Sequence, residues 1–351
     1  MPGPAVNNDE IERYLGRIDG EEEVKKTVLK MNGILSRHYA QDTNQRPTFD
    51  VYQLACEAID NCLAKRTELT SPISLLSAGT TYAPLAGPGL GSILHSQLRQ
   101  RNLLNQQVEI SSHSGVCTSA ASAMVNAMRA VSAGEHDAAI CLGTEHPSSA
   151  LKVEAFDAID DRDQHSELRR SQWFMAVFLR FMLSDGAGAF LLESKPKSKG
   201  VSFRVNWTHS RSFAHETPLC MKIENQGVRL SQDISILSKY LIPTARKFTA
   251  EAMERYDEDL IDYKIVLPHL SSFFFRKKTE RVMKEFTSSP DPVPYWTNLA
   301  TAGNTGSASI YIMLDHYIRE NEVADGDKIM LFIPESGQFN FVMVSLTAIV
   351  Q

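Results

Sequence analysis

The sequence predicts a layered α/β fold whose sheets are mostly parallel. Short apolar runs typical of buried strands alternate with helical runs along the 351-residue chain. This order occurs twice, before and after the polar, breaker-rich segment SKPKSKG at 194–200. A chain of this length exceeds one average core, so two halves of a large fold are expected. We therefore place an N-terminal half at 1–195 and a C-terminal half at 196–351.

The elements of the first half follow from apolar spacing and from Gly and Pro at their ends. Helical spacing predicts helices within 8–30 and over 48–66, 92–103 and 117–133, the last ending at Gly134. Apolar runs predict strands within 71–84 and over 107–113, 137–143 and 187–193.

The second half repeats this pattern. Strands are predicted over 201–207, 263–270, 327–334 and 339–350, and helices over 230–256, 274–286 and 307–320. Just before the junction lies the aromatic run WFMAVFLRFM. Its rings at Trp173, Phe174, Phe178 and Phe181 are expected in the core or a dimer interface rather than in an acyl tunnel.

Composition excludes several classes of function. A net charge of -6 without a basic stripe argues against nucleic acid and anionic membranes as partners. No apolar run reaches the roughly 18 residues of a membrane span, and no secretion signal follows Met1. The five scattered cysteines form no CxxC pair, which indicates reduced thiols and neither a disulfide framework nor a zinc site. We expect a cytoplasmic protein without a metal or cofactor.

One cysteine lies where a nucleophile would be placed. In SSHSGVCTSAASAM, Cys117 follows a predicted strand and precedes a predicted helix. The N–H groups and dipole of a helix N-terminus favour a thiolate, and the Cys117 N–H would face an oxyanion on an acylated sulfur. The alternative is a small buried residue at a tight turn, and this stretch alone leaves the two readings at even odds.

Two other stretches favour the nucleophile. His269 ends the apolar strand of LPHL, where open α/β sheets place functional groups, and Asn304 lies in the Gly-flanked turn of AGNTGSAS. Taken singly, each is more often structural: a packed histidine and a helix-capping turn.

Together these stretches resemble the ketoacyl synthase III branch of the thiolase superfamily, which uses a Cys–His–Asn triad. Over nearly the whole chain the matching motifs occur in the family's order: GVCTSAASAM, CLGTEH, LSDGAGAFLLE, LPH, AGNTGSAS and IPESGQF. SSHSGVCTSA, RFMLSDGAGAFLLE and LPHLSSFFF look like the ketosynthase/cyclases that build dialkylresorcinol or cyclohexanedione rings, a branch of fatty acid or polyketide-type secondary metabolism.

The resemblance implies a fold, a reaction and partners. Each half would be a mixed five-stranded sheet covered by helices, in α-β-α-β-α layers. Cys117 would accept an acyl group from a thioester of CoA or acyl carrier protein. His269 and Asn304 would stabilise the enolate of a malonyl- or β-ketoacyl thioester for a Claisen condensation, with or without ring closure. A homodimer is also implied.

Three departures from the family pattern qualify this expectation. Leu270 follows the histidine where Gln is usual, which weakens the inference of plain malonyl-carrier as substrate. The glycine run near the C-terminus is replaced by Glu335 to Gln338, leaving Gly337 as the candidate oxyanion N–H. The chain starts at the Leu-Pro turn that usually follows the first strand, a strand expected in the middle of the first sheet. We therefore expect a truncated or misassigned start.

Secondary candidates have plainer alternatives. Glu145 and the pair His215–Glu216 are candidate bases for ring closure, although a strand-end carboxylate and a loop pair are twice as common. Three consecutive cations follow His269 and either bind a carrier protein or CoA phosphate or form a solvated helix face: Arg276, Lys277 and Lys278.

Two other functions remain open at this point. An acyltransferase of the same fold would pass the acyl group to an alcohol or amine. A partner subunit of a heterodimer would have no activity of its own. Retention of Asn304 argues against the first, and retention of Cys117, His269 and Asn304 argues against the second.

Overall fold

The computed structural model describes residues 1–18, 22–65, 71–154, 167–224 and 229–351. Strands before the junction are β1 Val6–Asn7, β2 Ser36–Arg37, β3 Leu75–Thr80, β4 Glu109–Ser114, β5 Ala138–Glu145 and β6 Gly186–Glu193. The helices there are α1 Ile11–Leu15, α2 Glu22–Asn32, α3 Val51–Ala64, α4 Leu90–Gln100, α5 Ser119–Ser132 and α6 Glu167–Arg180.

Residues after the junction form the remaining elements. The strands are β7 Val201–Ser212, β8 Met221–Glu224, β9 Arg229–Gln232, β10 Ile265–Pro268, β11 Lys328–Pro334 and β12 Asn340–Val350. The helices are α7 Ile234–Tyr256, α8 Arg276–Lys284, α9 Leu299–Ala302 and α10 Ser309–Glu320.

Each half contains one central sheet. In the first, the order is β4-β3-β5-β6, with β4, β3 and β5 parallel and β6 antiparallel to β5. In the second, the order is β10-β11-β12-β7, with β10 parallel to β11 and the remaining pairs antiparallel. The parallel-then-antiparallel succession β3-β5-β6 thus has its counterpart in β10-β11-β12.

The two sheets face each other across a pair of central helices. One core cluster joins the first sheet, α5, α10 and the second sheet, and Tyr311 on α10 donates a hydrogen bond to Ala120 O on α5 at 2.9 Å. A second cluster packs α3 and α4 on the outer face of the first sheet. A third packs α7 and α8 on the outer face of the second. The layers are therefore α-β-α-β-α, as expected.

The close contact between α5 and the first sheet depends on glycines. A Cβ at Gly79 of β3 would lie 2.5 Å from the Ala120 Cα, and one at Gly143 of β5 would lie 2.6 Å from the Ala120 Cβ. Only residues without a side chain allow this separation. The glycines thereby fix where α5 begins.

Strand number and position differ from expectation. Each central sheet has four strands among the described residues rather than five, although a single parallel bridge, Val266 to Tyr295, extends the second sheet beyond β10. No place is open in the middle of the first sheet, because β3 pairs directly with β5. In the second sheet, β7 lies beside β12. In the first sheet, the corresponding position is the outer edge of β6, and no strand of the described chain lies there.

Two further differences concern local elements. The predicted helix over 230–256 begins only at Ile234, because residues up to Gln232 form β9 against β8 and Asp233 caps the helix. The predicted half boundary after residue 195 falls between β6 and β7 and stays a prediction. Within the described ranges, the structure contains no helix with the length and apolar character of a membrane span.

Candidate active site

Cys117 lies in the turn between β4 and α5. Its turn is closed by Ser119, whose N–H and hydroxyl both donate to Val116 O, at 3.2 and 3.0 Å. The thiol is buried, and the backbone N–H groups of Cys117 itself and of Ser336 act to lower its pKa. The structure thus places this sulfur beside two backbone donors, as an acyl-binding cysteine requires.

The electrostatics at Cys117 differ from those expected of a helix N-terminus. Burial raises the pKa of the Cys117 thiol, and the carboxylates of Glu335 and Glu145 raise it further. The two backbone donors lower that pKa but do not compensate. Burial and these two carboxylates therefore oppose the thiolate that the helix N-terminus predicts.

His269 follows directly after β10. The backbone N–H of His269 donates to Phe332 O of β11 at 2.8 Å, which fixes the backbone at the end of the sheet. The ring is buried, and neither ring nitrogen has a hydrogen-bond partner among the described residues. Burial lowers the pKa of His269 to about 4, so the imidazole is neutral at neutral pH. A neutral ring with a free N–H is a hydrogen-bond donor for an oxyanion.

Asn304 lies in the turn that leads from α9 toward α10. Its backbone is tied to the first half, because Asn304 N donates to Met182 O at 3.1 Å and Ser184 N donates to Asn304 O at 2.8 Å. The side-chain carbonyl accepts from Gly306 N at 3.0 Å. That bond leaves the side-chain NH₂ available as a donor.

Two apolar cavities meet at Cys117. The first, of about 200 Å³, lies between α6 and the β8–β9 hairpin and includes Asn304 and Glu145 in its wall. The second, of about 70 Å³, extends beneath α7 and includes His269. Cys117 and Ser336 line both cavities. Cys117 therefore shares one cavity with Asn304 and the other with His269.

Glu145 links the end of β5 to the Asn304 turn. Its Oε1 accepts from Thr81 N at 2.9 Å, from Thr81 Oγ1 at 2.6 Å and from Ser307 N at 3.2 Å, and the Ser307 hydroxyl also donates to it. Burial raises the pKa of Glu145 to about 7 despite these bonds. The structure places this carboxyl in the wall of the first cavity.

Glu335 also contacts the nucleophile turn. Its Oε2 accepts from the N–H of Thr118 at 3.2 Å and from the Thr118 hydroxyl, and its Oε1 accepts from Asn340 Nδ2 at 2.8 Å. Sequence reasoning noted Glu335 only as a departure from a glycine run. No local pattern shows a contact that spans 217 residues of chain.

Gly337 lies one residue beyond the donor at Ser336. Its carbonyl accepts from Cys220 N and Met221 N, at 2.9 and 3.2 Å. A Cβ there would lie 2.8 Å from Glu335 Oε1, so a side chain at this position would displace the glutamate carboxylate. Its role as an oxyanion donor stays a prediction, and Ser336 is the residue of this loop that reaches the sulfur.

The other proposed base pair is not part of the site. His215 and Glu216 are exposed, neither lines either cavity, and Glu216 forms an ion pair with Lys247 at 2.9 Å. The structure places the pair at the protein surface, because the loop after β7 turns it outward. The prediction that it acts at the site is not supported by this placement.

The cationic run lies on α8, beyond the site. Arg276 pairs with Glu280 at 2.9 Å, and Lys278 lies 5.2 Å from the centre of the Phe274 ring. Lys277 is exposed and has no ion pair within the described part of the chain. Phe274 is 41% exposed and also lines the first cavity, so this surface adjoins the cavity mouth.

Two features of the site were missed or misjudged from the sequence. Phe174 and Phe178 of α6 line the first cavity, so part of the aromatic run forms the candidate tunnel rather than only core. Asp185, which the sequence analysis did not single out, is fully buried and accepts from Ala40 N at 2.6 Å and Ser148 N at 2.9 Å. The carboxylate thereby ties two loops behind the cavity. The signal in the sequence was an acidic residue placed between an apolar run and the glycines at 186 and 188.

Comparisons with known proteins agree with this geometry. The model for the N-terminal domain of β-ketoacyl synthases matches residues 110–198, and the model for the C-terminal part of 3-oxoacyl-[acyl-carrier-protein] synthase III matches residues 257–334. The β-ketoacyl-[acyl-carrier-protein] synthase III of Acholeplasma laidlawii (strain PG-8A) is 20% identical over 320 residues, covering 91% of this chain and 87% of the relative.

Solved structures share the fold. OleA of Xanthomonas campestris superposes with a TM-score of 0.78 at 19% identity, covering 99% of this chain and 95% of its own. The tetronic acid condensing enzyme AbyA1 superposes with a TM-score of 0.76 at 17% identity, covering 99% and 97%. The thiolase-like fold class is thus confirmed. Segments of both halves thus match models of ketoacyl synthases, and the curated relative is similar in sequence over most of the chain.

Proposed function

We propose that this protein transfers an acyl group from a thioester to Cys117 and then joins it to a second thioester by Claisen condensation. The observation that carries the proposal is the meeting of two cavities at Cys117. The buried thiol of Cys117 lines both apolar cavities. The amide of Asn304 lines the first, and the imidazole of His269, whose nitrogens have no partners in the described structure, lines the second.

The first step is thioester exchange. The Cys117 sulfur attacks the acyl carbonyl, the C–S bond to the carrier breaks, and the carrier leaves as a thiol that takes up the cysteine proton. The N–H groups of Cys117 and Ser336 would bind the carbonyl oxygen as negative charge develops on it.

The second step is carbon–carbon bond formation. A second thioester forms an enolate, by loss of CO₂ from a malonyl group or by transfer of an α-proton from a β-ketoacyl chain to the Glu145 carboxylate. The enolate carbon attacks the acyl group on Cys117, and the C–S bond to Cys117 breaks. The β-ketoacyl product leaves and the cysteine regains its proton. His269 and the Asn304 NH₂ would donate hydrogen bonds to the enolate oxygen. Because both donors are neutral, neither has to leave an ion-pair partner first.

The cavities support apolar chains on both reactants. Both are walled mainly by aliphatic and aromatic side chains, as sites for alkyl groups are. We propose that the acyl chain on Cys117 occupies the first cavity and the tail of the second thioester occupies the smaller one. A two-chain product is the precursor that a dialkylresorcinol or cyclohexanedione ring requires.

Ring closure would need a base within the site. Glu145 is the candidate, because it lines the first cavity and its pKa of about 7 allows both protonation states near neutral pH. The same four hydrogen bonds also fit a purely structural role, so product analysis of a Glu145→Gln variant decides between them. If the Glu145→Gln variant formed only linear product, the ring-closing step would be assigned to Glu145.

The carrier would approach over α8. Phe274 at the cavity mouth and the exposed Lys277 form a surface suited to the phosphates of CoA or to an acidic carrier protein. A Lys277→Glu variant should raise KM for the carrier substrate more than for a short acyl thioester without phosphates.

A homodimer is also proposed. The outer edge of β4 bears no partner strand among the described residues, and such edges commonly pair with a second copy. Light scattering of the pure protein tests this.

An acyltransferase without carbon–carbon bond formation is the second candidate. It would use Cys117 but would not need the free amide of Asn304. The decisive experiment is incubation with a panel of acyl and β-ketoacyl thioesters, followed by mass spectrometry of protein and products. Acylation that is absent in Cys117→Ala, together with a β-keto or cyclic product, supports the condensing enzyme. An ester or amide product supports the acyltransferase, and a lack of both reactions supports a non-catalytic partner subunit.

A further inference from the structure

A carboxylate occupies the N-terminal end of the helix that carries the nucleophile. Thr118 stands at the N-cap position of α5 but its side chain makes no capping bond within the helix. Instead, Glu335 accepts from the Thr118 N–H at 3.2 Å and from its hydroxyl. Glu335 comes from the β11–β12 connection of the other half and is 3% exposed, so α5 is capped from outside its own half.

The carboxylate is held in place from its other side. Asn340 donates to Oε1 at 2.8 Å, and Gly337 leaves the space that this oxygen fills. Both oxygens of Glu335 thus have fixed partners. The side chain cannot turn away from α5 without breaking a buried hydrogen bond.

This placement changes the chemistry of the adjacent thiol. An anion at a helix N-terminus takes up the stabilisation that the helix dipole and its free N–H groups would otherwise give to a thiolate. Besides Cys117, the titratable groups in the two cavity walls are Glu145, His146 and Tyr82 in the first cavity and His269 in the second. No Lys or Arg lies in either wall within the described chain.

We propose that Glu335 is a positioning residue that fixes the start of α5 and keeps Cys117 protonated until an acyl thioester binds. The inference rests on the proposed function only for the role of Cys117 as acyl acceptor. In that reaction the thiol proton passes to the departing carrier thiol as the acyl group moves to the cysteine. A resting thiol is also protected from stray electrophiles and oxidants, since these react with the thiolate.

The test is the pH dependence of Cys117 alkylation by iodoacetamide, followed by mass spectrometry of the Cys117 peptide. Replacing Glu335 with Gln keeps the shape and can keep the bond from Thr118, but removes the charge. We expect the apparent pKa of the thiol to fall by about one unit. The thiolate fraction then rises about tenfold at a given pH below that pKa, and lower intrinsic nucleophilicity reduces the net gain in rate to about threefold.

Two control variants separate charge from structure. Thr118→Val removes the hydroxyl donor but leaves the carboxylate, so the thiol pKa should not fall. Glu57→Gln removes an exposed carboxylate that pairs with Arg101 far from the site, and it should leave the alkylation profile unchanged. Glu335→Gly introduces the residue that is usual at this position in the family that the chain resembles. It should lower the thiol pKa as Glu335→Gln does, and it replaces that variant if Glu335→Gln does not fold.

An unchanged thiol pKa in a folded Glu335 variant overturns the proposal. An equal fall in Thr118→Val also overturns it, because loosening of α5 would then suffice. Alkylation needs no acyl substrate, so this result is independent of the condensation assay. A protein that shows the expected pKa shift but makes no β-keto product would refute the proposed function alone.

Discussion

The residue that matters most, Cys117, has surroundings that local sequence does not reveal. Its position at a strand-to-helix turn predicts a thiolate, and the position is as expected. Burial and two carboxylates, those of Glu335 and Glu145, raise the pKa of the thiol and so oppose the expected ionisation. Reactivity therefore depends on what binds in the cavities, where an acyl carbonyl can meet the N–H groups of Cys117 and Ser336.

The separate roles of the triad residues can be tested by substitution. His269→Ala and Asn304→Ala should each lower the rate of condensation by about 10²–10³-fold, the usual effect of removing one oxyanion donor. Because neither donates to the oxyanion at Cys117, acylation of the protein should persist in both variants. Intact-protein mass and product formation, measured in the same reaction, separate the two steps. If acylation fell as far as condensation, the division of labour would be wrong.

Glu145 should make stability depend on pH. Its pKa in the folded protein is raised to about 7, whereas the ordinary value is 4.5. The folded protein therefore binds more protons than the unfolded chain between these values, and stability falls as pH rises from 4.5 through 7. In Glu145→Gln this contribution disappears, so the free energy of unfolding should decline less between pH 5 and pH 7.5 than in the parent.

Urea unfolding at those two pH values measures the effect. Glu57→Gln, which removes an exposed carboxylate, is the matched control and should retain the parent's dependence. A parent-like decline in Glu145→Gln would show that other groups cause it.

At the scale of elements, the sequence predicts the core strands and helices closely. The runs around Leu75–Thr80 and Ala138–Glu145 are fully buried strands, and the helix before Gly134 ends at Ser132. These elements are predictable because burial imposes its period on the local sequence. The β8–β9 hairpin was not predicted, and residues 230–232 were assigned to a helix instead, because their pairing depends on a neighbouring strand.

Helix α5, preceded by the turn that carries Cys117, tolerates little change in the strands beneath it. Gly79→Ala would place a methyl group 2.5 Å from the Ala120 backbone, and moving α5 away would also move Cys117. We expect a loss of about 1–3 kcal/mol in unfolding free energy and slower acylation. Gly115→Ala is the matched control for stability, since its Cβ would make an ordinary contact 3.6 Å from the Ser119 Cβ. Equal thermal unfolding midpoints for the two variants would contradict this account.

For the molecule as a whole, the site exists only where the two halves meet. Motif order in the sequence places Cys117, His269 and Asn304 together because a known family pattern supplies the pairing. The family pattern does not predict the positions of Ser336 and Glu335 beside Cys117 or the division of the apolar space into two cavities. Those features follow from contacts between segments far apart in the chain. The first cavity is bounded largely by α6 and the loops after β3 and β5, and the second largely by α7 and the second sheet.

Residues that line only one of the two cavities allow separate control of the two proposed chains. Ala150 lines the first cavity and Ala245 of α7 lines the second, so the same change to Leu narrows one or the other. Ala150→Leu should shorten the acyl chain preferred on Cys117, whereas Ala245→Leu should shorten the preferred tail of the second thioester. Competition among thioesters of graded length, with mass spectrometry of acylated protein and released product, reads both preferences at once. If both variants shortened the same chain, the two cavities would serve one substrate, and the proposal of a two-chain product would fail.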